Sequence, residues 1–301
     1  MVRTAVNRTD MLSAHRPAAC RLVITDIDGT LLDDGGNLPA LNRRALIRCR
    51  ELGIRTCLAT GRRWTTCRRL IDRLDLSGLV DYCILNNDMI LHDVAAGRTL
   101  YRKDFPFPLL LEAAARLAEA GLYPIVLGHN PDGATADVFH VRDCLLNGDF
   151  VAKNAAHAAR IGAYGDLAGS HLVELILIGT RKDLEEAAAR LAGLPVEIAI
   201  LRNTYYAEHM LEVTPRGVSK LAGALALLDH LGLSAHEALA IGDSDNDFPM
   251  LKDLPMSVAV ANADAKVKAV VRELTGTNAE GGFGQAVFRQ LGRDSSPGED
   301  G

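Results

Sequence analysis

The feature that most constrains the fold is a recurrence of short apolar runs, each stopping on a polar or acidic residue, with helical periodicity in between. RLVITDID is the first such run. LPALNRRALIRCRELG follows and places Leu41, Ala45, Cys49 and Leu52 on one helical face, with Gly53 as the stop. IRTCLAT reads as a second strand, a helix is expected from about Trp64 to Leu74, and YCILNN reads as a third strand. This βαβαβ alternation specifies a parallel sheet covered by helices on both faces, an α/β fold.

The pattern changes after Asn87. A helix in PFPLLLEAAARLAEAG precedes the runs PIVLGHN and ADVFHV, and a less regular stretch lasts to about Gly169. HLVELILIGT, the helix KDLEEAAARLAG and VEIAILRN come next; strands arrive in pairs as well as singly, so an α+β insert with an antiparallel sheet is expected. From about Thr214 the first pattern returns, with a helix in PRGVSKLAGALALLDHLG and the strands ALAIGDSD and SVAVAN, each followed by a helix. The expected organisation is an α/β core formed by 20–92 and 203–292 and split by an inserted domain at 93–202. Residues 1–19 are expected to be a loose tail in which Met11 offers a second possible start. The polar segment 293–301, rich in Gly, Pro and Ser, is expected to be disordered.

Composition excludes several function classes. The net charge is −5 with no basic stripe, which argues against a nucleic-acid partner. No run approaches the roughly 20 apolar residues that span a bilayer, and the first 20 residues lack the apolar stretch of a secretory signal. The 6 cysteines contain no CxxC pair and several sit in apolar runs, as expected of reduced thiols in a cytoplasmic protein. Nothing in the sequence points to an obligate protein partner.

The strand ends carry the chemistry. The first strand ends in Asp26 and Asp28, the second in Thr60-Gly61-Arg62, the third in Asn86-Asn87-Asp88, and the strand after the insert in Gly242-Asp243. Ligands of open α/β sheets bind outside the carboxyl ends of the strands, so these residues converge on one place. Alternate strand residues share a face, so Asp26 and Asp28 can share a site. Two carboxylates at short range repel; either a divalent cation neutralises them or one keeps its proton and serves as an acid. Asp243 adds a third carboxylate, followed by Asp245, Asn246 and Asp247. Oxygen ligands without a His or Cys pair select a hard cation, most simply Mg²⁺. Gly29 and Thr30 amides at a turn suit a phosphate, with Lys220 and Arg62 as further positive charge.

DIDGTLLD, TGR, GVSK and GDSDNDFPML, in that order, resemble the four motifs of the haloacid dehalogenase (HAD) superfamily, and the insert resembles the α/β cap of its Cof-type, subfamily IIB phosphatases. The likeness covers roughly 20–292. It implies a Rossmann-like parallel-sheet core with an inserted α+β cap, and a Mg²⁺-dependent phosphomonoesterase acting on a small phosphorylated metabolite such as a sugar phosphate. By resemblance, Asp26 is the nucleophile that forms an aspartyl-phosphate, Asp28 the general acid and base, and Lys220 the residue that holds Asp26 and offsets phosphoryl charge. Gly29, Thr30, Thr60, Gly61, Arg62 and Asn87 bind the substrate phosphate. The metal is held by Asp26, the Asp28 main-chain carbonyl and Asp243, with Asn246 and Asp247 in support.

Other residues have plainer readings. Asp33 suits a turn or helix cap, Asp245 a solvated loop, Trp64 the core or a domain interface, and His129 and His140 a surface or packing role in the cap. The family pattern has Asn-Gly after the third strand; here Asp88 follows Asn87, and its carboxylate is expected either to repel a second anionic group on the substrate or to pair with a cap arginine. A phosphomutase on the same scaffold is the alternative function, since it would also retain Asp26 and Asp28. A non-catalytic regulator would have lost Asp26, Asp28, Lys220 or Asp243, and all four are present.

Overall fold

The computed structural model describes residues 19–130, 135–203 and 208–295. The possible start at Met11 and almost all of the expected N-terminal tail lie outside them. So does most of the expected C-terminal tail, although its first residues, 293–295, complete a helix.

The chain begins with β1 (Leu22–Thr25), α1 (Ala40–Glu51), β2 (Arg55–Ala59), α2 (Trp64–Arg73) and β3 (Tyr82–Leu85). All four residues of β1 and of β3 are buried, the pattern of strands covered on both faces. A hairpin of β4 (Ile90–Asp93) and β5 (Arg98–Arg102) follows, with β4 antiparallel to β3 and β5 antiparallel to β4. The inserted layer contains α3 (Phe107–Ala118), β6 (Ile125–Gly128), β7 (Val138–His140), α4 (Asn147–Lys153), β8 (Ala158–Arg160), β9 (Leu172–Gly179), α5 (Arg181–Arg190), β10 (Val196–Asn203) and β11 (Glu208–Pro215). The chain then returns through α6 (Lys220–Leu231), β12 (Ala238–Gly242), α7 (Phe248–Asp253), β13 (Met256–Ala259), α8 (Ala265–Lys268), β14 (Glu273–Leu274) and α9 (Gly282–Ser295).

Two sheets result. The first runs β14-β13-β12-β1-β2-β3-β4-β5, parallel apart from the β3–β4–β5 meander. The second runs β10-β11-β9-β6-β7-β8 and is antiparallel except for β7–β8. Sheet membership therefore changes near residues 103 and 216, not at the expected 92/93 and 202/203: β4 and β5 fold back on the core sheet, and β11 pairs along its whole length with β10. One face of the cap sheet, with Leu175, Leu177, Leu211 and Val213, packs on Leu110, Ala113 and Leu117 of α3 and on Leu184 and Ala187 of α5. Ile125, Leu127, Val138 and Ile176 of its other face join the hydrophobic cluster of the core. The cap sheet thus lies between its own helices and the core.

In the core sheet β1 is flanked by β2 on one side and β12 on the other. Strand order reverses there, and the crevice beyond the carboxyl ends of β1 and β12 is the place where such sheets bind ligands.

Candidate active site

Asp26 leaves β1 and Asp243 leaves β12, so the register that pairs Thr25 with Ile241 brings the two acids side by side. Asp247 is delivered to the same spot by the turn that starts α7. One oxygen from each of Asp26, Asp243 and Asp247 lies within 4.8 Å of the others, a geometry able to hold a metal ion. Lys220, the first residue of α6, is fully buried beneath them and donates to Asp26 Oδ1 at 2.5 Å and Asp247 Oδ1 at 2.7 Å. Asp247 Oδ2 accepts from the amides of Asp243 and Ser244 at 3.0 and 3.1 Å, so this carboxylate also shapes the loop that carries Asp243.

The electrostatics follow from two buried acids, Asp26 and Asp247, the half-buried Asp243, and one cation. Burial pushes Asp26 well above the usual carboxylate range; Lys220 pulls it down, and Asp247 and Asp243 push it up again. Burial and Asp247 raise Asp243 to about 7, against the hydrogen bond that Thr30 Oγ1 donates to it at 2.6 Å. Burial alone would favour a neutral Lys220, but Asp247 and Asp26 more than reverse this and hold it charged. Gly29 is required where it stands: its φ is +83°, and a Cβ there would come within 2.6 Å of Asp243 Oδ2.

Asp28 lies at the rim, outside the acidic cluster. Its side chain is 43% exposed and takes two parallel hydrogen bonds of 2.7 Å from Arg62. Thr60, buried at the end of β2, accepts from the Arg62 amide at 3.1 Å and so fixes the turn that aims the guanidinium. Asn87 and Asn246 form a third group: Asn246 Nδ2 donates to Asn87 Oδ1 at 3.2 Å, and Asn246 Oδ1 accepts from Ser244 Oγ at 2.8 Å. Asn246, expected beside the metal, thus has both ends of its amide engaged with protein groups.

Asp88 differs from expectation. It is fully buried and bound by Tyr101 Oη and Lys103 Nζ, from β5 and the residue after it, so it neither faces the cleft nor meets a cap arginine. Its φ of +103° continues the positive values of Asn86 (+47°) and Asn87 (+55°), three left-handed residues in a row. Asp88 is therefore built into a strained turn that presents Asn86 and Asn87 to the cap.

That contact reveals two residues not singled out from the sequence. Glu212 on β11 accepts from Asn87 Nδ2 at 2.8 Å, and Glu174 on β9 accepts from Asn86 Nδ2 at 3.1 Å. A Cβ on Gly61 would lie 3.2 Å from Glu212 Oε1, so Gly61 admits the cap carboxylate. The signal was present: each glutamate interrupts an apolar stretch. Arg63 and Thr65 of the core bind Asp137, the residue before β7, in a second buried core–cap contact, with Arg63 also donating to Asn154 at 2.6 Å.

The remaining residues keep their plainer readings. Asp33 Oδ1 accepts from the Asn37 amide in a turn, and Asp245 pairs with Lys266 at 2.5 Å. Trp64 is buried against His92 with ring centroids 3.9 Å apart. His129 meets Thr99 at 3.3 Å and His140 meets Asp143 at 3.4 Å. All 6 cysteines are free thiols and 5 of them are buried. Among the described residues no helix is long and apolar enough to cross a membrane.

Comparison with known proteins decides the family: the model of haloacid dehalogenase-like hydrolases matches residues 23–287, nearly the whole described chain. The chain belongs to the haloacid dehalogenase-like hydrolase family. Among its relatives, the 5-amino-6-(5-phospho-D-ribitylamino)uracil phosphatase YitU of Bacillus subtilis is 24% identical over 269 residues, covering 87% of this chain and 94% of the relative. The HMP-PP phosphatase of Shigella flexneri is 28% identical over 265 residues, covering 84% of this chain and 89% of the relative. Among solved structures, a HAD subclass IIB sugar phosphatase superposes with a TM-score of 0.72 at 20% identity, covering 91% of this chain and 99% of that one. This HAD hydrolase thus shares its two-sheet fold with the subclass IIB enzymes.

Proposed function

We propose that this HAD hydrolase is a Mg²⁺-dependent phosphatase that cleaves a small phosphate monoester through an aspartyl-phosphate on Asp26. The observation that carries the reading is the buried cluster of Asp26, Asp243 and Asp247 around Lys220. The names of the phosphatase relatives support it.

The donor set suits a hard divalent cation: all oxygen, with more carboxylate charge than Lys220 offsets. Asp26 and Asp243 would hold it with the Asp28 main-chain carbonyl, and Asp247 and Asn246 would keep the loop in place. Bound there, the cation would neutralise phosphoryl oxygens and keep Asp26 ionised. Lys220 aims the Asp26 carboxylate and adds positive charge beneath the phosphoryl group. Asp26 attacks phosphorus, the ester P–O bond breaks, and Asp28 gives a proton to the departing alkoxide. Water then attacks the phosphoryl group, Asp28 takes its proton, and the Asp26–phosphorus bond breaks to release inorganic phosphate. Arg62 holds Asp28 through both oxygens; phosphoryl oxygens compete for the same guanidinium and free Asp28 for proton transfer. Gly29, Thr30, Thr60, Gly61 and Asn87 line the phosphate end of this path. The cap covers the site and keeps bulk water from the first step.

The test is phosphate release from a panel of monoesters, with Mg²⁺ and with chelator, beside Asp26→Asn. Release that requires metal and is lost in Asp26→Asn is expected. Release that persists in Asp26→Asn would overturn the assignment.

A further inference from the structure

A cleft of about 360 Å³ opens between the Asp245–Asn246 loop of the core and strands β10 and β11 of the cap. Its charged lining is lopsided. Glu197, Glu212 and Asp245 are acidic; Lys220 is the one cation lining it among the described residues, and its ammonium is committed to Asp26 and Asp247. Apolar contact comes from Val218 and Pro249.

The acids are placed there by strand periodicity. Glu197 pairs in register with Thr214, Ala199 with Glu212, and Glu212 with Ile176, two residues beyond Glu174. Glu174, Glu212 and Glu197 therefore share the core-facing side of the cap sheet, while the alternate residues Leu175, Leu177, Leu211 and Val213 turn to the cap helices. Burying carboxylates on this face is costly unless something donates to them. Asparagines supply only part of that need. Glu212 Oε2 is met by Asn87, leaving Oε1 turned toward Gly61 at the mouth of the phosphate site. Glu174 is 1% exposed and Asn86 fully buried, yet neither Glu174 Oε1 nor Asn86 Oδ1 has a hydrogen-bond partner among the described residues. Unpartnered acceptors thus lie on both sides of the core–cap seam behind the cleft, and of the cap-sheet glutamates Glu212 and Glu197 line the cleft itself.

We infer that Glu212, backed by Glu174 and flanked by Glu197, determines specificity: it selects leaving groups that are neutral, hydroxyl-rich alcohols and rejects those bearing a second anionic group. This rests on the phosphatase reading above. A hydroxyl donor satisfies the Glu212 oxygen turned to the cleft, whereas a second phosphate or a carboxylate would face Glu197, Glu212 and Asp245 with no uncommitted cation lining the cleft among the described residues. The acidic lining likewise disfavours a mutase, which must seat two phosphates.

The experiment compares sorbitol 6-phosphate, fructose 1,6-bisphosphate and p-nitrophenyl phosphate, whose leaving group donates no hydrogen bond, using the full chain with Mg²⁺. Wild-type kcat/KM should favour sorbitol 6-phosphate over the bisphosphate by at least tenfold. Glu212→Gln should lower the ratio of sorbitol 6-phosphate to p-nitrophenyl phosphate by about tenfold. Glu197→Lys, at an exposed position, should raise the bisphosphate relative to sorbitol 6-phosphate several-fold, and it decides the matter alone if Glu212→Gln fails to fold. Equal loss on all substrates in Glu212→Gln, an unchanged ratio in Glu197→Lys, or a wild type indifferent to the second phosphate would each overturn the inference while leaving a phosphatase. Failure of wild type to hydrolyse even p-nitrophenyl phosphate would sink the phosphatase reading, and this inference with it.

Discussion

Replacing Lys220 by methionine isolates what the buried cation contributes. The change keeps the side chain's length and apolar stem, and it deletes one charge that lies 2.5 Å from Asp26 and 2.7 Å from Asp247. Removing one partner of a buried ion pair costs about 3–5 kcal/mol, because the remaining charge stays buried without compensation. For a chain of this size, each kcal/mol corresponds to roughly 2–4 °C, so Tm should fall by about 10 °C at pH 8. The pH dependence is diagnostic. Burial already holds Asp26 high and places Asp243 at about 7, and Lys220 opposes both shifts. Without Lys220 these acids rise further, so the folded variant binds protons that the unfolded chain has released. Its stability then falls more steeply with rising pH than that of wild type, and its deficit shrinks on going from pH 8 to pH 5. Calorimetric scans at both pH values in the presence of chelator measure this directly. A Tm within 2 °C of wild type, or a deficit equal at pH 5 and pH 8, would refute the account of three acids balanced by one cation.

Other substitutions probe neighbouring links. Gly29→Ala should cost about 1–3 kcal/mol of backbone strain and displace Asp243, lowering kcat by roughly 100-fold; single-turnover phosphate release measures it. Arg63→Met should destabilise by about 3–5 kcal/mol by stranding Asp137, and adding Asp137→Leu should restore much of the loss in chemical denaturation. Glu212 is raised by burial from its ordinary 4.5 to about 7, with Asn87 pulling the other way. Ionising Glu212 should therefore cost wild type stability as pH rises across that window, a loss that Glu212→Gln does not share. The Tm difference in favour of the variant should grow between those values and level off above them.

The core was legible because its signals are local. β1, β2 and β3 are buried along nearly their whole length and read as apolar runs; α1 buries Ala45 and Cys49 of its expected face, joined by Asn42 and Leu46, while Leu52 is exposed. The four HAD motifs then located Asp26, Lys220, Asp243 and Asp247, which pack into one cluster. What escaped depends on tertiary context. β4 is buried through Ile90, Leu91 and His92 and shows no alternation, while its partner β5 is a half-exposed edge strand without a clear pattern. β11 carries Glu212 at a buried position, where an acid argues against an interior strand until Asn87 is seen opposite it. Asp88 was misplaced for a related reason. Nothing local announces that Tyr101 and Lys103, brought back by a hairpin, will enclose its carboxylate.

The two crossings between the sheets have a consequence for how such a molecule diversifies. The chain leaves the core sheet once, after Arg102, and comes back once, from Pro215 to the start of α6. The cap carboxylates Glu174, Glu197 and Glu212 lie on the excursion, whereas the cluster of Asp26, Asp243, Asp247 and Lys220 lies outside it. Lys103 is anchored to Asp88 on the outward step, and five residues after Pro215 the chain has reached Lys220. The insert behaves as a cassette whose outward joint is tied to the Asp88 turn and whose return joint leads into Lys220 of the acidic cluster. A foreign cap grafted between these joints would inherit the reaction intact and bring its own choice of alcohol, provided the short return segment kept its length.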